Sequence, residues 1–299
     1  MKTIFKQLHE ILNEEYPNYS QVWQNSLADF GPEWEKELSS HIKTVFGDSK
    51  NEKWLEAIHG YAEFCTEALR AQIFFEKTGR YQASSYAEVV ESCYKNPEYM
   101  NQRYLPGQYL SHFIWPHHQK MLQRYLLNLL PIIRNDVQTF YEVGVGCGMY
   151  SQKTLEHLTN SEGVGYDISK YALSFTKNVI ELHGYGNRYQ IKQKDIIEEP
   201  ISQKADFVIS QEVLEHLENP DAFIAGLFEA VRPGGWGYIT AAINAGHTDH
   251  IYLYRKPDEV EAQITAAGWE IVDVQIESNY EEKPIEFRPT IVGYLTKKP

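Results

Sequence analysis

Three glycines crowd behind an apolar run in Thr139-Phe-Tyr-Glu142-Val-Gly144-Val-Gly146-Cys-Gly148, and no other stretch constrains the chain as strongly. The run reads as a buried parallel strand, and 149–158 has the spacing of a helix. A tight turn must join them. Glycine lacks a Cβ, so it adopts positive φ and lets a ligand come close to the backbone. The G-x-G-x-G spacing is neither the G-x-G-x-x-G of dinucleotide loops nor the G-x-x-x-x-G-K-[ST] of a P-loop. Glu142, two residues before the first glycine, would repel a pyrophosphate and attract a cation. Loop and acid together predict a positively charged, nucleotide-like ligand.

Alternation continues from there. Strands are predicted at 140–143, 163–166, 189–191, 207–209, 237–241, 271–276 and 291–295, with helices at 149–158, 171–182, 220–231 and 257–267. Asn219 as N-cap and Pro220 in the first turn sign the third of these helices. Repeated β-α units require a mostly parallel, doubly wound sheet with right-handed crossovers. No helix separates the last two strands, which predicts an antiparallel hairpin. Ligands of such sheets bind at the carboxyl ends of the strands. Asp167 ends the second strand and can accept both hydroxyls of a ribose, or else cap the helix that follows Ile168 and Ser169. Asp195, after the third strand, reads by itself as a turn residue.

From residue 1 to about 135 the pattern is helical. Ile4, Phe5, Leu8, Ile11 and Leu12 share a face before Pro17. Pro32 suits a first helical position ahead of Trp34, Leu38, Ile42 and Val45. A long helix from Trp54 is expected to end at Gly79, and Ser85 to cap a short one through Cys93. Prolines, a glycine and polar residues at 96–108 predict a loop. Pro116 opens a last helix that Pro131 closes. The expected division is a helical cap over 1–130 and a sheet domain over 131–299.

Charge and composition exclude several classes. A net charge of −13 without a basic cluster repels phosphate backbones, so no nucleic-acid partner is expected. No apolar run approaches the length of a membrane span. The N-terminus has no signal-peptide core, and the three cysteines lack disulfide or metal spacing, which predicts a cytoplasmic protein. Oligomeric state is not legible.

The stretch Glu142-Val-Gly-Val-Gly-Cys-Gly148 resembles the first motif of the class I S-adenosylmethionine-dependent methyltransferases, and the resemblance covers the second half of the chain. It implies a Rossmann-like seven-stranded sheet with S-adenosylmethionine as cofactor. It places Glu142, Gly144, Gly146, Gly148, Asp167 and Ile168 around the ribose and methionyl parts. Asp195 would face the adenine amino group with Ile196 against the ring. Gln211, Glu212 and His216 would follow the fourth strand beside the methionyl chain. Glu212, Glu215 and His216 spell E-x-x-E-H, which on one helical turn can hold a divalent cation. Some members use it so with magnesium. Very similar segments serve members without metal, and no metal is expected here.

His247 and His250, in the loop after the fifth strand, suit a general base because histidine titrates near neutrality. The segment from Tyr104 to His118 is dense in aromatics. Tyr104, Tyr109, Phe113 and Trp115 are expected above the sulfonium, where aromatic faces attract a cation. The implied function is methylation of a small-molecule metabolite on oxygen, nitrogen or carbon. Two alternatives stay open: a cyclase or lyase that releases methylthioadenosine from the cofactor, forming for example azetidine-2-carboxylate, and a non-catalytic cofactor-binding protein.

Overall fold

The computed structural model describes residues 4–47, 52–83 and 85–299. Strands β1 (Thr139–Val143), β2 (Glu162–Asp167), β3 (Tyr189–Gln193), β4 (Ala205–Ser210), β5 (Val231–Ile243), β6 (Glu270–Ser278) and β7 (Thr290–Lys297) form one sheet in the order β3-β2-β1-β4-β5-β7-β6. The first five pair in parallel; β7 runs antiparallel between β5 and β6. Each expected strand is present, and the hairpin closes the sheet edge. Strand order reverses direction between β1 and β4, and a crevice opens at such a switch point beyond the carboxyl ends.

The N-terminal half is helical and lies against this sheet. Helix α1 (Ile4–Glu15) leads into α2 (Pro17–Phe46), which breaks at Gly31 with φ 77° just before Pro32. α3 (Glu52–Thr78) is the long helix expected there. Cap and sheet share a core: Tyr125 before β1, Tyr150 after the glycine loop and Tyr238 on β5 are each fully buried, with ring centroids 4.9 to 5.9 Å apart. Burial of each such side chain contributes on the order of 2 kcal/mol.

The predicted loop at 96–108 is helical instead. The Asn96 side chain accepts the N–H groups of Glu98 and Tyr99, a helical turn covers Pro97–Tyr99, a π-helical turn covers Met100–Tyr104, and α4 (Leu105–Ile114) follows. Pro97 and Pro106 sit in first turns, where the missing N–H has no partner to lose, so they start helices here. Pro131 behaves alike: it opens the helical turn Leu130–Ile133 after α5 (Pro116–Arg124) and does not close the segment. α4 reaches α3 because Gly107 leaves room; a Cβ there would fall 2.5 Å from Phe64 Cβ.

Candidate cofactor site

A cavity of about 270 Å³ lies at the switch point, between the carboxyl ends of β1, β2 and β4 and the underside of the cap. Gly144, Gly146, Asp167, Ile168, Asp195, Ile196, Gln211, Glu212 and His216 all face it. These residues come from four separate strand ends, and the topology alone brings them together.

The glycine loop turns as its composition requires. Gly144, Gly146 and Gly148 have φ of 75°, 50° and 74°. Gly148 caps the helix α6 (Met149–His157) from a left-handed conformation and faces Thr176, away from the cavity. Glu142 is also off the wall. It is 2% exposed, and its Oε2 accepts the Ser151 N–H at 2.8 Å, in the first turn of α6. Burial raises its carboxyl to about 8, against the two hydrogen bonds from Ser151. The acid expected to meet a ligand cation thus fastens loop to helix.

Asp167 keeps a ligand-facing geometry. Its Oδ1 accepts Ser169 N–H at 2.8 Å and its Oδ2 accepts Gly146 N–H at 3.1 Å, while Ser169, whose side chain accepts Ala172 N–H, takes the helix-capping role that Asp167 was the alternative candidate for. A carboxylate has about four acceptor sites, which leaves capacity for two hydroxyls. Burial raises its pKa to about 6, with the backbone N–H groups opposing. Asp195 forms the turn expected of it alone, accepting Ile197 N–H at 2.9 Å, and still lines the cavity.

After β4, Glu212 takes a left-handed backbone with φ 49°, unusual for a residue other than glycine. Its N–H donates to Thr240 Oγ1 at 2.8 Å, and its carboxylate accepts from Gln211 Nε2 at 2.6 Å and stands 3.8 Å from His118 Nε2. It therefore precedes the single helical turn Leu214–His216, and the E-x-x-E-H residues do not share a helical face. Burial raises the carboxyls of Glu212 and, further, of Glu215.

The loop after β5 is organised around Asp249, which is fully buried. Tyr94 of the cap donates to it at 3.1 Å, His247 Nδ1 is hydrogen-bonded to its Oδ1, and His216 Nδ1 lies 3.4 Å from its Oδ2. Although burial raises Asp249, the surrounding histidines hold its carboxyl well below the usual range. Burial pushes His247 down, but Asp249 first, and then Glu67 and Glu212, outweigh it and raise the ring above its ordinary value. His250 Nδ1–H donates to Ala245 O at 2.7 Å, and burial holds the ring well below the ordinary value. Only His216 of these three reaches the cavity wall; His247 and His250 stand one layer behind it. Among the described residues two groups have the spacing for a metal ion: Glu215, His216 and His250, and His247, Asp249 and His250.

The aromatic segment divides. Tyr104 lines the cavity. Tyr109 and Phe113 are fully buried in the shared core, with Tyr109 Oη 2.6 Å from His41 Nδ1, because α4 turns that face toward α2. Trp115 stacks on Phe64 and His117 beyond the cavity. The wall also contains Tyr86, Tyr94, Met100 and Gln108, which motif reading did not single out. For Tyr94 the signal was a five-residue recurrence, Tyr94, Tyr99 and Tyr104, which suits π-helical turns and escapes a template of period 3.6.

Among the described residues no helix is long and apolar enough to cross a membrane. The methyltransferase-domain family matches residues 141–236, which include the glycine loop, Asp167, Asp195 and the E-x-x-E-H segment. The mitochondrial ubiquinone biosynthesis O-methyltransferase of Dictyostelium discoideum is 27% identical over 168 residues, 45% of this chain and 50% of the relative. The ubiquinone biosynthesis O-methyltransferase of Paraburkholderia phytofirmans is 25% identical over 46% of this chain and 67% of its own length. The chain thus spans about half to two thirds of these relatives. A candidate O-methyltransferase from Nostoc punctiforme superposes with a TM-score of 0.54 at 15% identity, over 84% of this chain and 76% of that one. A candidate methyltransferase from Bacillus halodurans gives 0.50 at 14% identity, over 58% and 98%. At such identities the structural likeness speaks for the fold. Sheet order, loop geometry and the match over residues 141–236 agree: the chain has a Rossmann-like fold, and its central segment is similar to the methyltransferase-domain family.

Proposed function

We propose that this chain methylates a small-molecule acceptor, using S-adenosylmethionine held between the sheet and the helical cap. The observation that carries the reading is the cavity itself: a glycine loop and Asp167 form its floor, and Tyr94 and Tyr104 of the cap form its roof. When bound, the cofactor supplies a methyl group made electrophilic by its sulfonium. Asp167 accepts the ribose hydroxyls, Asp195 faces the adenine amino group, and Ile196 packs against the ring. The roof tyrosines exclude water and present their rings to a cation. An acceptor that must fit beneath a packed cap is a small molecule.

Orientation is the main contribution of such a site, because in-line displacement needs the nucleophile aligned with the methyl carbon. The acceptor also loses a proton. His247 is suited to take it: Asp249 fixes its Nδ1, and its Nε2 is buried with no protein partner among the described residues. This role requires the acceptor to reach past Tyr104, whose ring contacts that of His247 at 6.1 Å.

Product analysis by mass spectrometry tests the reading. With S-adenosylmethionine alone the cofactor should stay intact. With a protein-free metabolite extract, S-adenosylhomocysteine and a methylated product should appear together. Rapid release of methylthioadenosine from cofactor alone would replace methyl transfer with cyclase or lyase chemistry.

A further inference from the structure

The glycine loop commits its own donors internally. Gly144 and Val145 N–H both donate to Tyr166 O, at 2.8 and 3.2 Å, and Gly148 N–H donates to Val145 O at 2.9 Å. Gly146 N–H donates to Asp167 Oδ2 at 3.1 Å. An anionic group lying over the loop finds these N–H groups taken. Nor does a free cation replace them: the lysine on the wall, Lys194, is paired with Glu199 at 2.9 Å, and the remaining charges facing the space are mostly carboxylates.

Above this loop hangs Gln108, carried by α4 of the cap. A Cβ on Gly146 would lie 2.7 Å from Gln108 Oε1 and 3.0 Å from its Nε2, so the amide rests directly on the loop. Gln108 lines the cavity, and its Oε1 is buried without a hydrogen-bond partner among the described residues. A buried acceptor left unpaired is costly, and native structures rarely leave one so unless a ligand or water completes it.

We infer that Gln108 binds the amino-acid head of S-adenosylmethionine, its Oε1 accepting from the α-ammonium and its Nε2 donating to the α-carboxylate. This rests on the proposed cofactor reading. A primary amide offers an acceptor and two donors side by side, which matches a zwitterion without adding net charge. Because the amide belongs to the cap, the head group is gripped only when the cap is seated. Cofactor binding and closure of the roof are then one event.

Calorimetric titration of the full chain separates this assignment from its alternatives. S-adenosylhomocysteine carries the amino-acid head; methylthioadenosine has the same nucleoside and a thioether without it. Gln108→Ala is expected to weaken S-adenosylhomocysteine binding roughly tenfold to a hundredfold, the loss of a hydrogen bond to a charged group, and to leave methylthioadenosine unchanged. If the alanine variant loses both ligands, Gln108→Glu decides, since it keeps the length and the acceptor but loses the donor. Selective loss of S-adenosylhomocysteine in that variant supports the assignment; equal loss of both ligands, or no loss of either, overturns it. A wild-type chain that binds neither ligand overturns the cofactor reading beneath it.

Discussion

The Tyr94 hydroxyl donates to Asp249 Oδ2 at 3.1 Å, so a residue of the cavity roof is tied to the loop after β5 by a buried carboxylate. The same carboxylate holds His247, and one contact set therefore links cap position to the proposed base. Asp249→Asn keeps the shape and removes the charge. Turnover should fall, and the thermal midpoint should drop, since breaking a buried charge pair costs about 3–5 kcal/mol. The pH–rate profile distinguishes a role in proton transfer from a structural one. In the wild type the rate should rise with pH through a value above 6.5, as His247 loses its proton. Without the anion that value should move down. An unmoved limb would remove His247 from the mechanism.

Cofactor affinity should itself depend on pH. Asp167 must be ionised to accept two ribose hydroxyls, and burial places its pKa at about 6 in the free protein. Ligand favours the ionised form and lowers that pKa. Binding is therefore fully present above about 6 and weakens as pH falls through it, by up to about tenfold per unit. Calorimetry of S-adenosylhomocysteine between pH 5 and pH 8 measures this, and in Asp167→Asn the dependence should flatten.

Turnover should survive EDTA. The Nδ1 atoms of His216, His247 and His250 are already bonded to Asp249 O, Asp249 Oδ1 and Ala245 O. Glu212 belongs to neither group of possible metal ligands, since its left-handed backbone sets it ahead of the turn that carries Glu215 and His216. Loss of activity on chelation, with recovery in magnesium, would show that these side chains rearrange around an ion.

Much of the sheet was legible because its strands are short apolar runs bounded by turn residues, and the cavity floor because Gly144, Gly146 and Asp167 follow strand ends whose position topology dictates. Glu142 misled because a charge next to a glycine loop suggests a ligand, whereas the fold turns that side chain into the start of α6. The roof was hidden for a different reason. Pro97 and Pro106 look like breakers when only their number is weighed, and their meaning depends on falling in a first helical turn. Tyr109 and Trp115 belong to the same aromatic segment as Tyr104, but a helix exposes one face to the cavity and gives the others to the core. Asp249 had little local signal: beyond His247, two residues away, its partners are Tyr94 and His216, which come from two distant parts of the chain.

Titration of S-adenosylmethionine into the wild type, Asp167→Ala and Gly146→Val tests the central claim most directly. Gly146 has φ 50°, and its Cβ position lies 2.7 Å from Gln108 Oε1, so a valine there strains the loop and intrudes on the space under the cap. Asp167→Ala deletes the charged acceptor of the ribose hydroxyls. The account predicts saturable binding to the wild type, a loss of roughly tenfold or more in Asp167→Ala, and no measurable binding to Gly146→Val. Unchanged affinity in both variants would contradict it.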